Sequence, residues 1–93
     1  MRDSQLVLRY RNWIQATPMA FTLFEKLSNQ IRAAGKTKYS AWTIVNIIRW
    51  ESDLAQSEEY KISNDYIGLL ARDLIKKDPS FDGFFNLKKT KRY

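Results

Sequence analysis

Three glycines and two prolines are scattered singly through 93 residues, and their positions decide where regular elements can start and stop. Thr17 can cap a helix whose first turn accommodates Pro18, and Gly35 can take the left-handed conformation just past its end. Between these marks Ala20, Phe24, Leu27, Ile31 and Ala34 step by four and three along one face, a stripe that faces a core. Ser28, Asn29 and Arg32 fall elsewhere on the wheel and are expected to be solvated. A second stop, Asp78-Pro79, ends a later helix, and Gly68 lies inside that helix rather than at its edge.

The segments between these marks read as further helices. Residues 4–15 place Leu6, Val7, Tyr10, Trp13 and Ile14 at helical spacing, while the alternation in Leu6-Val7-Leu8-Arg9-Tyr10-Arg11 also suits a strand. Ser40 is a natural cap for a helix running to about Gln56. There Ala41, Trp42, Ile44, Val45, Ile47, Ile48, Trp50 and Leu54 wrap most of the circumference, leaving a polar strip of Thr43, Asn46, Arg49 and Asp53. That pattern predicts a central helix packed on several sides. The β-branched run at 43–48 also fits a buried strand, but the length of the segment favours a helix.

A polar connection, Ser57-Glu58-Glu59-Tyr60-Lys61-Ile62, precedes Ser63 or Asn64 as cap of a fourth helix. Its inner face is Ile67, Leu70, Ala71 and Leu74, and Lys76-Lys77 complement the C-terminal end of its dipole. Phe81-Asp82-Gly83-Phe84-Phe85-Asn86-Leu87 is too aromatic for a free tail and is expected to fold back and close the core. The expected architecture is all-α: a four-helix single domain over 1–87 with a basic tail at 88–93. No uninterrupted apolar run reaches the roughly 18 residues of a membrane span, and the start lacks a signal-peptide pattern, so a cytoplasmic location without membrane contact is expected.

Cysteine and histidine are both absent. No disulfide, thiolate, Cys-His or Ser-His-Asp chemistry is available, and the usual zinc ligands are missing. The carboxylate pairs Glu51 with Asp53, Glu58 with Glu59 and Asp78 with Asp82 stand in no catalytic motif, and three separated glycines cannot form a phosphate-cradling loop. The chain reads as a non-enzyme without a cofactor or metal; a carboxylate-based metal nuclease on Asp78 and Asp82 is the weakest reading.

Charge is the remaining lead. Sixteen Lys and Arg oppose ten Asp and Glu, a net charge of +6. The last six residues contribute Lys88, Lys89, Lys91 and Arg92 and no acid, so the body behind them is close to balanced. A cationic arm of this kind meets an anion, either a nucleic-acid backbone or an acidic protein face. On the fourth helix Gly68, Arg72 and Lys76 recur every four residues on one stripe away from the inner face, and Lys77 joins Lys76 at the C-terminal end. Two readings fit Gly68, which costs roughly 1 kcal/mol against alanine inside a helix. Either another backbone approaches there while Arg72 and Lys76 hold its phosphates, or a ring such as Trp42 or Trp50 packs against the gap.

The pair of segments from Ser40 to Asp78 matches a helix-turn-helix reader poorly, because the connection is long and lacks glycine. Asn64 is suited to an adenine edge, but Asp65 beside it repels phosphate. Arg9-Tyr10-Arg11-Asn12-Trp13 and Lys36-Thr37-Lys38-Tyr39 alternate rings and cations in a way that suits stacking of bases, or simply core rings with solvated neighbours. Leu6, Tyr10 and Trp13 are available either to cover the body or to form a symmetric homodimer contact.

Arg49-Trp50-Glu51, then Tyr60-Lys61-Ile62-Ser63-Asn64-Asp65-Tyr66, then Ala71-Arg72, then Pro79-Ser80-Phe81-Asp82-Gly83-Phe84-Phe85 resemble, in order and spacing, a pattern in small phage and prophage accessory proteins, with Ser63 where asparagine is expected. The likeness spans about half the chain. It implies a phage or mobile-element origin. The functions it admits are nucleic-acid binding, to DNA or RNA, and occlusion of an acidic host protein surface in the manner of anti-CRISPR inhibitors of host defence.

Overall fold

Residues 2–54 and 62–85 are described by a computed structural model. Four α-helices follow one another: α1 (Arg2–Ala16), α2 (Pro18–Ala33), α3 (Ala41–Leu54) and α4 (Ile67–Lys77), with short 3₁₀ turns at Asn64–Tyr66 and Pro79–Phe81. The chain is all-α, and α2 packs against each of the other three helices.

The choice between helix and strand in the first segment is settled as helix. Tyr10 is buried on one face of α1, with Trp13 and Ile14 beside it against the core. The chain turns into α2 through a single residue, with the Thr17 amide donating to the Trp13 carbonyl (2.9 Å) and the Ala20 amide to the Thr17 carbonyl (3.1 Å). The Thr17 side chain makes no capping hydrogen bond, so Pro18 alone marks the start of α2 from the sequence side. Gly35 has φ +102° beyond its end, where its amide reaches the Arg32 carbonyl at 3.0 Å.

Of the α2 residues expected in solvent, Ser28 is not there and Arg32 is only partly so. Ser28 is completely buried beside Ala20 and Phe24, and its hydroxyl donates to the Phe24 carbonyl at 2.7 Å. That bond back along the helix satisfies the hydroxyl without a tertiary partner. Arg32 lays its guanidinium over the Phe81 ring, 3.7 Å from the centroid, and donates to Ser80 Oγ (2.7 Å) and Asn29 Oδ1 (3.2 Å). Ala34, expected on the inner stripe, is exposed.

α3 opens as its sequence predicts, with the Thr43 amide donating to Ser40 Oγ at 3.3 Å. Among the described residues it is not wrapped on several sides. Ala41, Ile44, Val45 and Ile48 are buried against α2 and α4, whereas Trp42 and Trp50 remain 58% and 65% exposed. With both packed neighbours on one side, a helix apolar around most of its circumference must leave part of that surface outward.

After residues 55–61, Ser63 caps the 3₁₀ turn that leads into α4, its hydroxyl accepting from the Asp65 amide. Arg49 fastens this entry by donating to the Ile62 carbonyl and to Asn64 Oδ1 (2.8 Å). The inner face of α4 is Ile67, Leu70, Ala71 and Leu74, all buried.

The aromatic closure forms as expected. Asp78 caps the turn at Pro79, and Gly83 at φ +84° carries the chain round. Phe81, Phe84 and Phe85 are thereby buried with Phe24, with centroid separations of 5.2–5.8 Å among the four rings. The Tyr39 amide donates to the Phe84 carbonyl at 2.9 Å and ties the α2–α3 connection to this end. Each ring buried in this way contributes about 1.5–3 kcal/mol.

Candidate anion-binding face

Lys76 and Lys77 are neighbours in sequence, and a helix turns about 100° between them. They consequently leave α4 on different flanks. Lys77 faces α2, where its ammonium is 3.0 Å from Glu25 Oε1 and 5.6 Å from the centroid of Phe21. Just past the helix end Arg32 approaches Asp78 at 3.7 Å. The Asp78 carboxyl is held below its ordinary range, chiefly by the Ser80 hydroxyl at 2.6 Å, with the Ser80 amide and Arg32 adding to the effect.

Lys76 faces α1. Together with Arg11, Gln15, Tyr10, Leu69 and Asp73 it lines a depression of about 320 Å³ between the two helices. Asp73 is the carboxylate of this site, and it lies three residues before Lys76, a spacing at which side chains meet on a helix. Its partner is instead the hydroxyl of Tyr10, which donates to Oδ2 at 2.6 Å. Burial of the phenol, with this bond second, raises the Tyr10 pKa well beyond its ordinary value, so the hydroxyl keeps its proton and remains a donor. Among the described residues no carboxylate is ion-paired with Arg11 or Lys76. The result is a cleft rimmed by two exposed cations, Arg11 and Lys76, whose one carboxylate accepts a hydrogen bond from Tyr10 and is in no ion pair with either.

The gap at Gly68 is filled by its own helix. A Cβ built there would stand 3.1 Å from Nη1 of Arg72, so the guanidinium of Arg72 lies back along the glycine. Neither Trp42 nor Trp50 packs at Gly68; among the described residues the Arg72 guanidinium is what lies there. Of the residues expected to bind, Gly68 and Arg72 adjoin each other, Lys76 stands in the α1–α4 cleft and Lys77 is turned towards Glu25. Lys88, Lys89, Lys91 and Arg92 lie outside the described residues.

Other sequence expectations are resolved by the same packing. Asn64 accepts a hydrogen bond from Arg49 through Oδ1, the oxygen an adenine amino group would need. Tyr10 and Trp13 pack with Tyr66, with centroids 5.6 and 5.0 Å away, and so help to cover the body by joining α1 to the start of α4. Among the described residues no group of three or more acids could hold a metal ion, and no helix is long and apolar enough to cross a membrane. Arg9 and Arg11 are readable from the sequence as cations that help Arg72 and Lys76 grip phosphate; that Arg11 and Lys76 line one cleft, and the Tyr10–Asp73 bond, emerge only from the fold.

No family model matches the chain, and no curated protein or solved structure is similar to it.

Proposed function

We propose that this chain is a small phage or mobile-element accessory protein that binds nucleic acid through its phosphate backbone. The observation that carries the reading is the α1–α4 cleft, where Arg11 and Lys76 stand together without an ion-pairing acid while Tyr10 holds Asp73. Exposed Arg9 on α1 and the sequence-borne cations Lys88, Lys89, Lys91 and Arg92 enlarge the positive field that an anionic polymer would meet. Base readout plays no part in the proposal, since Asn64 is committed to Arg49 and the contacts invoked are ionic. Anisotropy titrations against duplex and single-stranded oligonucleotides should show affinity falling by at least tenfold between about 50 and 200 mM salt. Lack of binding to either at the lower salt overturns the reading.

A second reading directs the same cations to an acidic host protein surface, the chain then acting as an inhibitor by occlusion in the anti-CRISPR manner. The commitment of Asn64 favours it to the extent that it removes base contacts and leaves charge as the recognition principle. Pulldown from nuclease-treated host lysate separates the two: a protein partner survives the treatment, and one bridged by nucleic acid does not.

A further inference from the structure

Trp42 and Trp50 are large apolar side chains more than half exposed on one helix, and Asn46 stands midway between them. The three step by four residues and form a continuous outward stripe with the two rings about 12 Å apart along the axis. Asn46 Nδ2 donates to the Trp42 carbonyl at 2.8 Å, and Arg49 is fixed by Ile62 and Asn64.

The charges of α3 run against its own dipole. Lys36 and Lys38, both exposed, precede its N-terminus, its first turn has no acid, its last turn has no base, and Glu51 is exposed near the C-terminal end. Each arrangement is unfavourable within one helix. Both are relieved if a second α3 lies antiparallel, because the lysines of each copy then approach the acidic end of the other. A two-fold axis at Asn46 does this and also sets Trp42 against Trp50 of the second copy, a self-complementary match as an isologous contact requires.

We propose that the outward stripe of α3 is the interface of a reversible homodimer with its two-fold axis at Asn46. An unpaired nucleic acid stacking on the same rings fits less well, because Arg49 is spent on the chain itself and Glu51 follows Trp50. The two rings cover far less than the roughly 800 Å² per partner of a standard interface, so the dimer is weak and concentration-dependent. It shares no residue with the α1–α4 cleft, and either proposal survives failure of the other.

Sedimentation of the full chain up to about 1 mM should show the average mass climbing from 11.0 kDa towards twice that value. Trp42→Ser combined with Trp50→Ser should remain monomeric over the same range with unchanged helical circular dichroism. Because the chain has no cysteine, Asn46→Cys introduces a single thiol. At an interaxial distance of about 8–10 Å, two such residues on the axis come within disulfide reach. Oxidation should cross-link Asn46→Cys, while Glu51→Cys, off the axis, should stay uncross-linked. A wild-type chain monomeric throughout, a dimer indifferent to loss of both tryptophans, or equal cross-linking of the two cysteine variants overturns the proposal. So does a monomer whose double-tryptophan variant loses binding to single-stranded oligonucleotide.

Discussion

The two flanks of α4 carry similar side chains and end in opposite electrostatic states. Towards α2, Lys77 is paired with Glu25, and Arg32 beyond the helix end approaches Asp78. Towards α1, the available carboxylate is Asp73, and the hydroxyl of Tyr10 holds it while Arg11 and Lys76 line the same cleft. A cation's value to a partner depends less on its presence than on whether the fold has already given it an acid. On the α1 flank the carboxylate's hydrogen-bond partner is a neutral hydroxyl, supplied by a residue distant in sequence.

The most severe way to break the contrast is Tyr10→Phe. Loss of the hydrogen bond to a charged acceptor should cost about 1–3 kcal/mol in denaturant unfolding. It should also leave Asp73 able to pair with Lys76 or Arg11, weakening nucleic-acid binding in the folded protein. Unchanged affinity would show that Tyr10 does not control the cleft. Alkaline pH tests the same bond in the wild type. The phenol's pKa is raised on folding, so its contribution is complete below the unfolded value near 10 and should be lost as pH climbs beyond it, a decline that Tyr10→Phe should lack.

Gly68→Ala sharpens the contrast from the helix itself. The new methyl group meets only the far end of the Arg72 side chain, which can shift, and alanine should add up to about 1 kcal/mol of stability. A destabilised variant would mean that the resting place of Arg72 is required by the fold. On the paired flank, Lys77→Gln should change stability by only about 0–1 kcal/mol, as for exposed ion pairs generally. Asp78 should have its effect in acid. Its carboxyl is lowered on folding, so its stabilisation is present above the ordinary value near 4 and is lost as pH falls through the lower folded value. Acid unfolding of Asp78→Asn, followed by circular dichroism, should lack that component.

The helices were legible wherever local chemistry defines them. Pro18 and Gly35 bracket α2, Ser40 caps α3, and Asp78-Pro79 ends α4. The closure by Phe81, Phe84 and Phe85 could be read from their apolar bulk alone. What periodicity could not supply was the number of neighbours each face would meet. That omission made Trp42 and Trp50 look buried, and it made Ser28 and Arg32 look solvated when one bonds back to its own helix and the other covers Phe81. The cleft was only half visible. Lys76 stood out as a basic residue on an outer stripe, but a hydrogen bond between residues 63 positions apart leaves no trace in local spacing. For the same reason Lys76 and Lys77 looked equivalent until their helical neighbours were known.

The central claim is that the α1 flank, and not the α2 flank, meets phosphate. It is tested most directly by the salt dependence of oligonucleotide affinity in the wild type, in Arg11→Gln combined with Lys76→Gln, and in Lys77→Gln. For duplex DNA the double variant should lose about 1.8 from the slope of log affinity against log salt, as expected for two phosphate contacts, while Lys77→Gln should keep the wild-type slope. A double variant with the wild-type slope, or a Lys77→Gln slope reduced as much as that of the double variant, would contradict the account.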